Sequence, residues 1–311
     1  MLYSPEPLHI PDGFLTLTIS IICWVVSAIT ISVAVSRSNK SMGERQIPLM
    51  GVMAAFIFAA QMINFPVAGG TSGHLLGGAL AAITLGPWAG MLVMTAVIAV
   101  QALLFQDGGL LVMGANILNM GLITAAIGYG LYRGVSNGNR TLKLTVAGVA
   151  AWLSVMAGAL LTALQLWLSG TSQLQVVIPA MLGVHALIGL GEALITVAAL
   201  TFILQTRPDL LGSTSESAKG SRGWVIAGVL VSLVVVLLSP LASTNPDGLE
   251  RVAGDLGFLS QGASAPYQII PDYTLPFLGE TALSTILAGI VGVVVVGAII
   301  VLLGQGMKAK S

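Results

Sequence analysis

Residues 74–105 read HLLGGALAAITLGPWAGMLVMTAVIAVQALLF and contain no Asp, Glu, Lys or Arg. As one helix this stretch would be about 48 Å long at 1.5 Å per residue, well beyond a bilayer core about 30 Å thick. Gly86 and Pro87 lie near its middle, and a proline that follows a glycine is a strong helix-breaking signal. The stretch therefore predicts two short helices joined at Gly86-Pro87.

The whole chain has the composition of a membrane protein. Of its 311 residues, 56% are hydrophobic and only 8% are charged, whereas soluble domains carry about 25% charged residues. Lys plus Arg equals Asp plus Glu at 12 each, so net charge indicates neither nucleic acid nor an anionic partner. The single cysteine, Cys23, lies in an apolar run and is more typical of packing than of a reactive thiol.

Long uncharged stretches are expected to be helical because open backbone cannot face lipid. Together with the two helices in residues 74–105, the apolar runs predict an all-α integral membrane protein with nine spans. The other seven lie in residues 14–36, the first part of 47–106, 108–132, 144–168, 176–205, 224–241 and 281–303. The polar segment 207–222 is the predicted linker between a seven-helix domain, residues 1–206, and a two-helix unit, residues 223–311.

The distribution of positive charge supports this count. With an external amino terminus, nine spans place 11 of the 12 basic residues in cytoplasmic segments, as the positive-inside rule requires. These are Arg37, Lys40, Arg45, Arg133, Arg140, Lys143, Arg207, Lys219, Arg222, Lys308 and Lys310. Fusing residues 74–105 into one helix would move eight of them outside. We therefore expect a bacterial inner-membrane protein with a cytoplasmic carboxyl terminus and an acidic outer segment, residues 243–280, which attracts cations or is merely solvated.

Three histidines are the candidate metal ligands, since imidazole is the commonest transition-metal ligand. The predicted topology places His9 and His74 on the outer side, but spacing alone leaves a metal site and a structural role equally open. His185 and Glu192 share one helix face, and ionisable groups within a span are functional candidates. For this pair an interhelical hydrogen bond is the favoured alternative, because Glu192 is expected in the cytoplasmic half, far from the outer ligands.

Four segments resemble a known family. They are LHIPDGFL at residues 8–15, SGHLLGG at 72–78, HALIGLGEA at 185–193 and NPDGLE at 245–250. The first three resemble the CbiM/NikM family, the substrate-binding components of energy-coupling-factor (ECF) transporters for cobalt and nickel. The fourth resembles the small two-helix companion subunit of these transporters (CbiN/NikN), here fused at the carboxyl end.

The resemblance implies a site and a set of partners. The transported ion, Ni²⁺ or Co²⁺, would be held by the amine of Leu8, the amide nitrogen and imidazole of His9, and the imidazole of His74. A planar set of nitrogens suits Ni(II) or Cu(II) and also admits Co(II), so the choice between nickel and cobalt stays open. The partners would be a transmembrane coupling subunit and two ATPase subunits. The small residues Gly51, Ala55 and Ala59 would either dock the coupling subunit or pack within the chain.

The amino terminus departs from the family pattern. Residues 1–7 precede the motif, and Leu8 occupies the position of the initiating Met. With the chain beginning at residue 1, the terminal amine is too distant for this chelate. We therefore hypothesise that translation begins at position 8, which retention of residues 1–7 in the native protein's intact mass would contradict.

Motifs of catalysis are absent from the sequence. There is no phosphate-binding loop of the Gly-x-x-x-x-Gly-Lys-Ser/Thr type, no His-Glu-x-x-His and no Gly-x-Ser-x-Gly. The chain is therefore expected to be a transport subunit without its own ATPase, and not an enzyme. The alternative is a self-sufficient proton-coupled permease or channel in which His185 and Glu192 relay protons or ions.

Overall fold

The computed structural model describes residues 9–41, 43, 46–206 and 223–308. Leu8, residues 1–7 and the predicted linker 207–222 lie outside the described residues. The helices are α1 (Leu17–Ser41), α2 (Gln46–Gln61), α3 (Gly78–Leu85), α4 (Pro87–Val100), α5 (Met113–Asn116), α6 (Thr124–Tyr132), α7 (Arg140–Leu168), α8 (Leu174–Thr206), α9 (Gly223–Leu238), α10 (Gly248–Leu256) and α11 (Ala282–Lys308). One antiparallel hairpin, β1 (Phe65–Val67) and β2 (Thr71–Gly73), lies between α2 and α3.

The all-α membrane architecture is confirmed. Within the described ranges, seven helices are long and apolar enough to cross a membrane. The apolar helices α2, of 16 residues, and α3, of 8 residues, are shorter. Counting α5 and α6 as one helix, because the π-helical turn Ile117–Ile123 joins them, α1 to α8 make a seven-helix body. The helices α9 and α11 add the two carboxyl-terminal spans.

The predicted break in residues 74–105 is also confirmed. Gly86 has a φ of 83°, a left-handed conformation that glycine adopts without steric cost, and α3 and α4 pack closely on either side of it. A Cβ at Gly90 would lie 2.7 Å from the Cα of Ala82. The helix α3 is shorter than expected, about 12 Å, because residues 74–77 are not helical.

The carboxyl-terminal helix packs against the body. A Cβ at Gly51 of α2 would lie 2.9 Å from Val301 Cγ2 of α11, and the other small residues of this face, Ala55 and Ala59, are buried. The internal-packing alternative for this face is therefore confirmed. The other alternative, docking of a coupling subunit, is not favoured at Gly51, because α11 already packs there.

The close approach of α3 and α4 predicts a steric effect at Gly90. Gly90→Ala places a methyl group against the backbone of Ala82, so we expect overpacking to destabilise the protein by about 1–3 kcal/mol. Gly130→Ala in α6 is the matched control, since no described atom outside its own helix backbone lies within 4 Å of a Cβ there. Thermal unfolding in detergent measures both variants. Equal melting temperatures for the two would contradict the described packing.

Candidate metal-capture site

The segment that carries His9 is held by the polar side chain of Asn116. Its carbonyl oxygen accepts the N–H of Ile10 at 3.1 Å, and its amide donates to the carbonyl of Ile10 at 3.0 Å. The chain at Gly108 passes so close that a Cβ there would lie 2.9 Å from the Cβ of His9. His9 is thereby fixed between its own segment and the turn that follows α4.

The next anchor is Asp12 of the LHIPDGFL segment. Its carboxylate accepts three backbone N–H groups, from Leu110 at 3.0 Å, Leu111 at 2.9 Å and Val112 at 3.1 Å. A carboxylate that accepts several N–H groups at one end of a helix satisfies donors that would otherwise lack partners. The aspartate of this motif therefore attaches the amino-terminal segment and does not face the ion.

His74 is placed by a carboxylate from α8. Glu192 is fully buried, and its two oxygens accept the N–H of Leu76 at 2.6 Å and the N–H of Gly77 at 2.9 Å. These N–H groups immediately precede the first helical residue of α3, at the end of a helix where a negative charge is favourable. Glu192 thus makes the interhelical hydrogen bonds that were the favoured alternative. The expectation that it lies far from the outer ligands is wrong, because the residues it binds follow His74 directly.

The two predicted imidazoles meet. The ring centroids of His9 and His74 are 5.6 Å apart with an interplanar angle of 64°, and the two side chains belong to residues only 2% and 7% exposed. The Nδ1 of His9 lies 3.1 Å from the main-chain oxygen of Asp107, while its Nε2 is buried without a hydrogen-bond partner. With the proton on Nδ1, the lone pair of Nε2 is available to a ligand.

The third histidine, His185, lies at the same cavity, which has a volume of about 60 Å³. The sequence did not predict this position. His185 lines the cavity together with His9 and His74, and its Nδ1 lies 2.8 Å from the carbonyl oxygen of Met181. A Cβ at Gly248 would lie 3.1 Å from its Nε2, so that nitrogen faces the cavity side. His185 and Glu192 share one helix face but have different roles. His185 lines the cavity, and Glu192 binds the segment that leads into α3.

Amide side chains form another part of the cavity wall. Asn119 and Gln165 exchange hydrogen bonds at 2.7 and 2.8 Å, and Asn119 also donates to Thr162 at 3.0 Å. Reciprocal amide pairs satisfy buried polar groups without charge. Asn116 and Asn119, two amides in an otherwise apolar span, were the sequence signal that could have indicated this wall.

The carboxyl-terminal unit covers the cavity through the NPDGLE segment. The N–H and hydroxyl of Ser72 donate to the main-chain oxygens of Pro246 and Asn245, both at 2.8 Å. Asp247 caps α10 by accepting the N–H of Glu250 at 2.7 Å, and it lines the cavity. Burial raises the pKa of Asp247 to about 8, and the nearby carboxylates of Glu250 and Asp107 also raise it, against a lowering hydrogen bond from the Glu250 N–H. A cation in the cavity would favour its ionised form.

In the part of the chain that the structure describes, no three His, Cys, Asp or Glu side chains are grouped to hold a metal ion. The two imidazoles at 5.6 Å therefore need further donors to bind a dication. The predicted donors are backbone nitrogens, the amide of His9 and the amine of Leu8, and Leu8 lies outside the described residues. The site of four nitrogens from Leu8, His9 and His74 therefore stays a prediction.

Two parts of the chain match known protein families. Residues 9–210 match the CbiM family, described as the cobalt uptake substrate-specific transmembrane region, and residues 222–309 match the PDGLE domain. The putative fused nickel transport protein NikMN of Archaeoglobus fulgidus is 37% identical, over 93% of this chain and 95% of its own. The fused nickel transport protein NikMN of Rhodobacter capsulatus is 29% identical, over 97% of each chain.

A solved structure is also similar to this chain. A crystal structure of a transition metal transporter is 33% identical, with a TM-score of 0.60, and covers 68% of this chain and all of its own. The fold and cavity thus define a multi-pass membrane protein with the architecture of a transition-metal transporter. The chain belongs to the CbiM family of cobalt uptake substrate-specific transmembrane regions, and it carries a PDGLE domain at its carboxyl end.

The anchoring of α3 by Glu192 predicts a loss of stability in Glu192→Gln. The amide nitrogen of glutamine would face a backbone N–H, so one buried donor would lose its acceptor, at a cost of about 1–3 kcal/mol. Asp255→Asn is the matched control, because Asp255 is exposed and, among the described residues, pairs with Arg251 on α10, so its loss should hardly change stability. Thermal unfolding in detergent compares the two, and an unchanged melting temperature for Glu192→Gln would refute the anchoring role.

Proposed function

We propose that this protein is the substrate-binding membrane subunit of an ATP-driven ECF-type importer, and that it captures Ni²⁺ or Co²⁺ at the outer face of the membrane. The observation that carries the proposal is the buried pair of imidazoles, His9 and His74, brought together from distant parts of the chain. Imidazole nitrogens suit both ions. The names of the relatives, which are nickel and cobalt transport proteins, support the same substrates.

On the hypothesis that translation begins at position 8, the ion is held by four nitrogens, from the amine of Leu8, the amide and imidazole of His9, and the imidazole of His74. The cavity of about 60 Å³ exceeds the about 10–15 Å³ that one water requires, so a dication fits. The buried Nε2 of His9 has no hydrogen-bond partner, which supports ligand binding at this imidazole, because a buried nitrogen without a partner is unfavourable until a ligand arrives. Asp247 lines the cavity, and a cation bound there would favour its ionised form, whose negative charge would in turn attract the cation.

The chelate also constrains the ring of His9. A ring closed by the amide and imidazole of one histidine uses Nδ1, whereas Nδ1 faces the Asp107 carbonyl in this structure. A half-turn of the imidazole about its Cβ–Cγ bond exchanges the positions of Nδ1 and Cδ2, so Nδ1 would leave the Asp107 carbonyl and become available to the ion. In this structure Asp107 holds one nitrogen of the ring, as outer partners do for metal-binding histidines.

The proposed importer requires partners. The chain contributes the capturing domain, residues 1–206, and the two-helix unit, residues 223–311, while a transmembrane coupling subunit and two ATPase subunits supply the energy. The basic residues support an external amino terminus and a cytoplasmic carboxyl terminus, and the membrane we propose is a bacterial inner membrane. This orientation places the β-hairpin, the turn after α4 and the NPDGLE segment on the outer side, where an incoming ion meets them.

Metal binding to protein with its native amino terminus tests the site. His74→Ala and His9→Ala each remove a ligand, and we expect affinity for Ni²⁺ to fall by more than the 10–100-fold typical of losing an outer partner. His185→Ala is the matched control from the same cavity, with a loss of about tenfold or less. Isothermal titration measures all three. Unchanged binding by His74→Ala would remove that residue from the site.

Uptake assays test the energy source. Cells that express the chain with its coupling and ATPase subunits should accumulate radioactive nickel or cobalt, and a Walker-lysine substitution in the ATPases should abolish the accumulation. Vesicles that contain the chain alone should show no uptake on imposition of a proton gradient. Uptake by the chain alone would instead favour a self-sufficient permease.

A further inference from the structure

Tyr273 of the carboxyl-terminal unit reaches into the body near the cavity. Its ring stacks on Phe105, with ring centroids 4.8 Å apart and an interplanar angle of 20°. Its hydroxyl donates to the Oδ2 of Asp107 at 2.5 Å and accepts from the amide of Gln101 at 3.1 Å. Burial and the neighbouring Asp107 raise the pKa of Tyr273 well above its usual value, so the hydroxyl stays protonated and can donate.

The backbone around Tyr273 adopts an unusual conformation to achieve this contact. Asp272 and Tyr273 have φ angles of 50° and 55°, in the left-handed region that residues other than glycine rarely enter. Such conformations persist where surrounding contacts over-determine them. Here the N–H of Ile270 donates to the carbonyl of Leu104 at 3.0 Å, so the segment is attached to the body just before it turns inward.

Asp107 connects this tyrosine to the capture residue. One carboxylate oxygen, Oδ2, accepts from Tyr273, while the other, Oδ1, lies 3.6 Å from the Nδ1 of His9. The main-chain oxygen of Asp107 lies 3.1 Å from the same nitrogen. Asp107 is buried, at 2% exposure, so its orientation depends on the few donors around it.

We propose that Tyr273 is a positioning residue for metal capture, which acts through Asp107 to fix the imidazole of His9. The inference rests on the proposed function and extends it, because it makes the carboxyl-terminal unit a structural part of the site from a second direction. The NPDGLE segment covers the cavity near His185, whereas Tyr273 supports the histidine of the amino-terminal segment. Both contacts come from the same unit, so loss of that unit would affect both sides of the cavity.

The test measures Ni²⁺ affinity of the full chain, with its native amino terminus, after Tyr273→Phe. This change removes one oxygen and keeps the ring that stacks on Phe105. We expect affinity to fall about tenfold, the lower end of the range for partners that orient a metal-binding histidine. Tyr267→Phe is the matched control, because its hydroxyl also donates to the body, to the carbonyl of Leu103 at 2.9 Å, without contacting Asp107. Its affinity should stay within about twofold of the wild type, the usual scale of a lost exposed hydrogen bond.

A double-mutant cycle separates positioning from packing. In the Asp107→Ala background, Tyr273→Phe should cause no further loss of affinity. Incorporation of 4-aminophenylalanine at position 273 keeps an N–H donor and should restore binding to within about threefold of the wild type, on the scale of one altered hydrogen bond. If Tyr273→Phe is recovered unfolded, the 4-aminophenylalanine variant is tested in its place. Melting temperatures of the metal-free proteins are measured alongside.

Several results would overturn the proposal. These are wild-type affinity in Tyr273→Phe, an equal loss in Tyr267→Phe, an additive loss in the Asp107→Ala background, or failure of the folded 4-aminophenylalanine variant to bind. If His9→Ala abolishes binding while Tyr273→Phe does not weaken it, the proposed function stands and this inference alone fails. If the wild-type protein binds neither Ni²⁺ nor Co²⁺, both fail.

Discussion

The imidazoles of His9 and His74 lie with ring centroids 5.6 Å apart in a buried part of the protein, and the surrounding structure serves to keep them there. Buried polar groups need partners, and in a membrane protein water supplies few of them. Each histidine is therefore held through its neighbours. Asp107 and Asn116 hold the segment of His9, while Glu192 binds the N–H groups that follow His74.

The same constraint explains the short helix α3. Residues 74–77 are not helical, and His74 in this segment lines the cavity. The buried N–H groups of Leu76 and Gly77 are satisfied by the carboxylate of Glu192. The helix then runs only as far as Gly86, where the chain reverses into α4. The carboxyl-terminal unit completes the cavity by adding the NPDGLE segment and Tyr273.

Much of the fold could be predicted from the sequence, because lipid imposes a simple rule on apolar length and the break at Gly86-Pro87 is a local signal. The meeting of His9 with His74 was expected only through the family resemblance. The position of His185 in the cavity was missed, because a helical face gives no information on which helices face each other. Asp107 and Tyr273 were missed for the same reason: their contact joins residues 166 positions apart, and no local pattern encodes it.

The central claim is that two imidazoles and two backbone nitrogens coordinate one dication in a plane. X-ray absorption spectroscopy at the nickel edge, on loaded protein with its native amino terminus, tests this most directly. The account predicts four-coordinate, planar nickel with nitrogen donors only and the multiple-scattering signature of two imidazoles. Oxygen or sulfur in the inner coordination sphere, or octahedral geometry, would contradict it.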